Sequence, residues 1–292
     1  MYRYGMNLRG RKMRFVRMFS FALVMASTAS AFGLQSTTRK RLGHSSLLDP
    51  AKERSPCLKV SKISKFRPST YLLSSIETND QVKDPSTLIS AQDDQTQQQT
   101  FVLICGGILG GSLVFLAMYN FLEAVLPSAV FGPFYTVLPC VLSLAFISAG
   151  IAHFVLEDTF TSFVPPKGSW GGLWQVPSPG AETLGLTYEQ YHSFWSGVAE
   201  ILVGTSLLVT TASANGLLPF GDGTLGATTL PAELMWMITA CVTPANVYMY
   251  THNPVVPRIP ALPYPWGHGA RLTLQCALLA VFAKLTLHSL GP

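Results

Sequence analysis

The stretch SGVAEILVGTSLLV, from Ser196 to Val209, contains one charged residue, Glu200, among apolar, small and hydroxylic residues. An acid at the centre of a membrane helix costs on the order of 2.5–3.5 kcal/mol on insertion scales, so it is usually paired or functional. Gly197 and Gly204 share a helical face with Glu200 and leave room for a neighbouring helix. The stretch therefore predicts a packed membrane helix in which Glu200 is either a structural hydrogen-bonded clasp or an active group.

Apolar residues also dominate the rest of the chain. Of its 292 residues, 48% are hydrophobic and 12% are charged, and the mean hydropathy is positive, as is typical of a multi-pass membrane protein. Residues 1–100 contain 16 of the 20 basic residues and only 7 of the 15 acidic ones. The net charge of +5 therefore belongs to the front of the chain. It gives no indication of a nucleic-acid partner, which would need a basic surface on the folded part.

The later part of the chain, residues 101–292, contains five apolar segments separated by turn-forming residues. Each is long enough, at about 20 residues, to cross the hydrocarbon core of a bilayer as a helix. The sequence therefore predicts an all-α, multi-pass membrane helical bundle, with one leading helix in front of four others. The predicted segments are Phe101–Leu122, Phe134–Leu156, Tyr191–Thr211, Pro231–Tyr250 and Ala270–His288.

The loops between these segments differ in length and charge. Lys167, Arg258 and Arg271 fall on one side of the membrane if the segments alternate, whereas the loops Glu123–Pro133 and Ala212–Leu230 contain no Lys or Arg. The positive-inside rule then predicts that the amino end and the two long loops lie on the stromal or cytoplasmic side.

The long loop Thr159–Gln190 is rich in Pro, Gly and Trp. Because tryptophan is enriched at membrane–water interfaces, Trp170 and Trp174 are predicted to form part of an aromatic belt at the membrane surface.

Several polar side chains are predicted to reach the same membrane face as the cationic loops. His153 and Glu157 lie four residues apart at the end of the second segment, and Arg271 and Gln275 lie four apart at the start of the fifth. Glu200 would be the deepest member of one pocket. We predict acid–base roles for Glu200, His153 and Glu157, and ligand-binding roles for Asn246, Arg271 and Gln275.

Each of these side chains also has a structural explanation. A His and a Glu at a helix end can be hydrated, and an Arg there can extend its charge to the interface. Asn246 follows Pro244 and can repair the hydrogen bonding that a proline disrupts.

No cofactor-binding or metal-binding motif is evident. The chain has no CxxCH, no GxGxxG after a predicted strand and no Walker loop. Its five cysteines form no CxxC pair, which argues against a zinc site or a thioredoxin-like centre.

The front of the chain has the composition of a targeting sequence. A basic stretch and a short apolar run precede Ala29-Ser30-Ala31, which predicts a signal peptide over residues 1–31. Residues 32–79 are basic, hydroxyl-rich and poor in acids, like a transit peptide, and residues 80–100 are predicted to be a polar linker. With Phe32 directly after the junction, the pair resembles the bipartite plastid-targeting presequences of algae with complex plastids. The resemblance implies a plastid membrane, thylakoid or inner envelope; the alternative is a plain signal peptide leading to the endomembrane system.

Residues 145–290 resemble the DoxX-like integral membrane protein family in five ordered motifs. These are Gly150-x-x-His153-Phe154, Phe163-x-Pro165-Pro166, Gly197-x-x-Glu200 with Gly204, Pro244-Ala245-Asn246-x-Tyr248-Met249, and Arg271-x-x-x-Gln275. The resemblance implies a four-helix membrane bundle, here with an additional leading helix and an insertion, Lys167–Gln190, that could form a partner surface. Some members of the family are small subunits of quinone-reducing sulfur oxidoreductases, and others are associated with redox complexes of thiol metabolism and oxidative stress.

The resemblance implies an accessory subunit of a membrane redox complex, with a quinone as the possible cofactor and other membrane protein subunits and the lipid bilayer as partners. Two alternatives stay open. The chain can be a structural or assembly protein without chemistry. It can also be an acid–base isomerase of lipids or isoprenoids, because the string HFVLED, His153–Asp158, is similar to part of the emopamil-binding-type sterol isomerases.

Overall fold

The computed structural model describes residues 85–218 and 228–289. The predicted signal peptide and the transit-like segment lie outside these residues. Within these ranges the regular secondary structure is entirely helical, with no strand, which confirms the predicted all-α class. Two 3-10 turns, Pro85–Thr87 and Ile89–Ala91, precede the helices α1 Asp94–Val125, α2 Ser128–Phe131, α3 Pro133–Thr136, α4 Leu138–Val155, α5 Glu157–Thr161, α6 Tyr188–Ala214, α7 Thr229–Cys241, α8 Thr243–His252 and α9 Trp266–Ser289.

Four helical stretches are long and apolar enough to cross a membrane, in agreement with a multi-pass bundle. They are Asp94–Val125, Ser128–Val155, Tyr188–Ala214 and Trp266–His288.

The fourth predicted segment is not one continuous helix. It consists of α7 and α8, which meet at Val242. Pro244 lies in the first turn of α8 and has no N–H to donate to the carbonyl of Ala240, so a proline at this position breaks the helix. Together, α7 and α8 run the length of the bundle.

The bundle has two ends, which we call the proximal and the distal face. The proximal face is the end at which α1, α6 and α9 begin, and it carries the loops 162–187 and 253–265. The distal face is the end at which these three helices finish.

Helices α4 and α6 pack in direct backbone contact because glycines face each other. A Cβ atom added to Gly197 would lie 2.7 Å from Cβ of His153, and one added to Gly150 would lie 2.7 Å from the carbonyl oxygen of Gly197. At Gly204, an added Cβ would lie 3.0 Å from Ile147. The predicted role of the two glycines beside Glu200, to admit a neighbouring helix, agrees with these distances.

Helix α9 is the central helix of the bundle, with buried residues from Cys276 to Thr286. Leu279 and Phe282 are almost completely buried in a core that includes residues of α1, α6 and α7. Phe146 of α4 packs edge-to-face on Phe282 with ring centroids 5.6 Å apart, which joins the α4–α6 pair to α9.

The predicted polar linker is structured over its described part. Asp93 caps α1 by accepting hydrogen bonds from the backbone N–H and the hydroxyl of Thr96. These bonds hold the pKa of Asp93 below its ordinary value. Helix α1 therefore begins at Asp94, seven residues before the predicted start at Phe101.

The insertion Lys167–Gln190 packs on the leading helix. Trp170 has no exposed surface, its ring lies 4.3 Å from that of Phe101, and its indole N–H donates to Thr251 of α8. Gln98 of α1 donates to the carbonyl of Gly171. The prediction of an interfacial belt is therefore wrong for Trp170, which joins α1 to the core. The leading helix α1 and the insertion, the two regions that a four-helix bundle would lack, therefore contact each other.

Candidate functional site

Glu200 lies near the midpoint of the 27-residue α6 and faces His153 of α4. The Nε2 atom of His153 lies 3.6 Å from Oε2 of Glu200, and both residues are less than 9% exposed. This oxygen of Glu200 is buried and has no hydrogen-bond partner. A buried carboxyl oxygen without a hydrogen-bond partner is costly and calls for an explanation, which can be strain, a bound water or ion, or a chemical role.

The other side of the His153 ring is held by hydroxyl groups and an aromatic ring. Its Nδ1 atom lies 3.0 Å from Oγ of Ser193 and 3.5 Å from Oγ of Ser196. The ring of Phe160 packs at 4.1 Å between centroids. These contacts fix the imidazole so that Nε2 points to Glu200.

The structure separates Glu157 from this pair. Helix α4 ends at Val155, and the backbone of Leu156, with φ −117° and ψ 49°, starts the short α5 in a new direction. The prediction that His153 and Glu157 share a face of one helix is therefore wrong. Glu157 instead accepts a hydrogen bond of 2.6 Å from Gln190, next to the proximal loops. The isomerase hypothesis requires a proton donor, His153 or Glu157, beside Glu200, and of these two residues only His153 lies there.

Asn246, Arg271 and Gln275 form a hydrogen-bonded clasp between α8 and α9. Arg271 donates to Oδ1 of Asn246 at 2.9 Å, and Asn246 donates to Oε1 of Gln275 at 2.9 Å. Gln275 in turn donates to the carbonyl of Thr239 and to the hydroxyl of Thr243. The prediction that these side chains meet agrees with the geometry. Asn246 was predicted to repair the backbone hydrogen bonding next to Pro244. Instead, Gln275 donates to a backbone carbonyl, that of Thr239, beside the break between α7 and α8.

The structure brings the six predicted residues to one half of the bundle but not into one hydrogen-bonded pocket. Within the described ranges, no hydrogen bond or ion pair joins Glu200 to Arg271 or to the rest of the clasp. Two phenylalanines link the groups instead. Phe160 packs on His153 and lies 5.5 Å from Phe163, and the guanidinium of Arg271 lies 5.3 Å from the Phe163 ring. A guanidinium over an aromatic face is a favourable cation–π contact.

A second polar cluster lies at the distal face and was not predicted from the sequence. Lys284 of α9 is buried and donates to Glu123 and to Asn120 of α1, the latter at 2.6 Å. Tyr135 donates to the other oxygen of Glu123 at 2.6 Å, and the ring of His288 stacks on Tyr135 at 3.5 Å. One signal was present: Lys284 is the only Lys or Arg inside the last apolar segment beyond its first turn. Alternation brings that part of α9 to the end of α1, where Glu123 lies.

The described residues contain no group of three or more His, Cys, Asp or Glu side chains that could hold a metal ion. Comparison of the chain with protein-family models, curated proteins and solved structures found no match, so the likeness to DoxX-like proteins stays a prediction from its motifs.

Proposed function

We propose that the chain is an accessory subunit of a quinone-linked membrane redox complex, and that Glu200 and His153 bind the head group of the quinone and supply its protons. The observation that carries this proposal is the buried carboxyl oxygen of Glu200, which has no hydrogen-bond partner and lies 3.6 Å from Nε2 of His153. A second molecule with a carbonyl or hydroxyl group would satisfy that oxygen and the imidazole together.

The surroundings of the pair suit a flat, apolar ring with polar groups at opposite edges. Arg271 donates one hydrogen bond to Asn246, and its guanidinium has further N–H groups that can donate to a ligand. Phe160 and Phe163 lie between His153 and Arg271. A quinone ring stacked on these phenylalanines, with one carbonyl towards His153 and the other towards Arg271, would have a donor for each carbonyl.

Two serine hydroxyl groups lie beside the pair, on the side of the proximal face. Ser193 and Ser196 contact Nδ1 of His153, and Gln190 lies one turn before Ser193 on α6. Reduction of a quinone to a quinol takes up two electrons, which the redox partner would supply, and two protons. His153 and Glu200 would pass those protons on, as positioned acid–base groups do.

The partner class and the compartment come from the sequence motifs. The DoxX-like resemblance supports association with other membrane subunits, and the presequence supports a plastid membrane, where the quinone would be plastoquinone.

Photo-crosslinking with a photoreactive benzoquinone in native membranes tests the proposal. Peptides of α4 and α6 around His153 and Glu200 should be labelled, and the Glu200→Gln and His153→Gln variants should lose most of the label. Glu233→Gln, an acid on α7 at the other end of the bundle, is the matched control and should be labelled like the native chain. Absence of label from α4 and α6, or full labelling of Glu200→Gln, would disprove quinone binding at this site.

A purely structural role is the second candidate, because the α4–α6 contact and the clasp of Asn246 are complete without any ligand. It predicts that Glu200→Gln supports normal assembly and growth while Gly197→Leu does not. The redox role predicts that both variants fail in function, although only Gly197→Leu fails to assemble. Gly107→Leu controls for the added side chain, since a Cβ there meets no atom within 4 Å.

A further inference from the structure

The Glu200–His153 pair is closed off from the outside of the bundle. Both residues are less than 9% exposed, and the carboxyl oxygen that faces His153 is buried. Between α4 and α6 there is no gap, since a Cβ atom added to Gly150 would lie 2.7 Å from the carbonyl oxygen of Gly197. A ligand or a reagent can therefore reach Glu200 only when an element beside the pair moves.

The short helix α5, Glu157–Thr161, covers the pair at the proximal face. Its Phe160 ring lies on the His153 ring with centroids 4.1 Å apart and is itself only partly buried, so it stands between His153 and the surface. The break at Leu156 separates α5 from α4, and a turn over residues 162–164 follows it. Because a helix of five residues has little stability of its own, the position of α5 depends on its side-chain contacts.

Two of these contacts join α5 to the Pro-rich loop 253–265. Thr159 is completely buried and donates to the carbonyl of Pro257 at 2.7 Å, and Asp158 pairs with Arg258 at 3.2 Å. Both side chains of the ion pair are more than half exposed, and such pairs contribute little. The hydrogen bond of Thr159 is shielded from water and is therefore the stronger contact.

A third contact joins the first turn of α5 to α6. Gln190 donates to Glu157 at 2.6 Å, next to the break at Leu156. Because α6 is fixed on α4 by the facing glycines, this end of α5 is anchored to the rigid pair of helices. The other end, with Thr159 and Phe160, is held by the loop, so α5 has a fixed end beside a break and a free end with one latch.

We propose that α5 is a gate over the Glu200–His153 pair. The gate opens when Thr159 releases the carbonyl of Pro257 and Phe160 leaves the His153 ring, and it closes when both contacts form again. It rests on the proposed function for what passes through it, the quinone head group and its protons. The opening itself concerns only the access to Glu200 and is measured without a quinone.

Modification of Glu200 by a water-soluble carbodiimide measures the opening in the full chain in lipid nanodiscs. The reagent adds to carboxyl groups that it can reach, and mass spectrometry of the peptide with Glu200 gives the rate. Thr159→Val, which removes the hydrogen bond to Pro257, should raise this rate about two- to tenfold, the range that one net hydrogen bond supplies. Phe160→Ala, which removes the ring over His153, should raise it at least as much.

Thr161→Val is the matched control for the latch. Thr161 lies on the same helix but donates within it, to the carbonyls of Glu157 and Asp158, so its loss should change the rate less than twofold. None of the three substitutions changes a charge. Glu123, which is bound by Lys284 at the distal face, is the internal reference and should be modified at the same rate in every variant.

Three results would overturn the gate: equal rates at Glu200 in Thr159→Val and Thr161→Val, a parallel rise at Glu123, which means that the whole bundle loosens, or no modification of Glu200 in Phe160→Ala. The outcome is separate from that of the quinone photo-crosslinking. If the rates change as expected and the quinone does not label α4 and α6, the gate stands and the proposed function fails. If the quinone labels these helices and the rates are equal, the reverse holds.

Discussion

Two acids in the membrane bundle, Glu123 and Glu200, have opposite surroundings. Both oxygens of Glu123 are bound, one by Tyr135 and the other by Lys284, although its side chain is 38% exposed. Glu200 is far more deeply buried, and one of its oxygens has no hydrogen-bond partner and only the His153 ring at 3.6 Å. The more exposed acid is fully satisfied, and the more buried acid is not.

The comparison separates stability from function. The carboxylate of Glu123, bound by the Lys284 ammonium and the Tyr135 phenol, ties α1 to α9 and to the turns before α4, and Lys284 also donates to Asn120 of α1. An acid that faces only an imidazole at 3.6 Å contributes little to the packing of α4 on α6, which the glycines already provide. We infer that the distal cluster holds the fold and that the Glu200–His153 pair is kept for a ligand or a proton.

Removal of Lys284 should have the largest effect on stability. Breaking a buried ion pair from one side costs about 3–5 kcal/mol, and the partial exposure of Glu123 reduces this, so we expect a loss of about 2 kcal/mol for Lys284→Met. A denaturant titration in detergent micelles measures it. Lys167→Met, at an exposed lysine of the insertion that lies over the ring of Tyr188, is the control and should change the unfolding free energy by less than about 1 kcal/mol. Similar values for the two variants would contradict a structural role for the distal cluster.

Tyr135→Phe should have an intermediate effect. It removes the hydrogen bond to Glu123 but keeps the ring that stacks on His288, so the expected loss is about 1 kcal/mol. The same titration measures the change. Because Lys284 still binds Glu123, a loss as large as that of Lys284→Met would mean that the phenol, rather than the ion pair, organises the cluster.

Glu200→Gln should have the smallest effect on stability. The substitution keeps the shape of the side chain and removes no hydrogen bond of the oxygen that lacks a partner, so a change below about 0.5 kcal/mol is expected. If the unfolding free energy falls by 2 kcal/mol or more, Glu200 is a structural clasp and the comparison fails.

Much of the bundle was predictable because hydropathy and length determine membrane helices almost independently of the neighbours. The glycines around Glu200 correctly indicated a close helix contact, and His153 was correctly placed near Glu200 because alternation brings the end of α4 beside α6. The break between α7 and α8 was not predicted, although Pro244 was noted, because a proline can also kink a helix without ending it.

The errors have a common cause, which is that tertiary contacts determine the surroundings of a loop or a helix end. Trp170 was assigned to the membrane surface from its residue type, but its position depends on Phe101 and Thr251, which are distant in sequence. The four-residue spacing predicted that Glu157 and His153 share one helix face, but the helix breaks at Leu156, between the two residues. Lys284 and Glu123 are 161 residues apart, and a lysine near a helix end is easily taken for one that reaches the interface.

A pair of double-mutant cycles tests the central contrast most directly. One cycle combines Glu123→Gln with Lys284→Met, and the other combines Glu200→Gln with His153→Gln, with the unfolding free energy measured in micelles for every variant. Contacting charged groups show coupling energies of about 0.5–3 kcal/mol. We expect at least about 1 kcal/mol for the distal pair and less than about 0.5 kcal/mol for Glu200 and His153. Equal coupling energies, or a larger one for Glu200 and His153, would contradict the division between a structural and a functional acid.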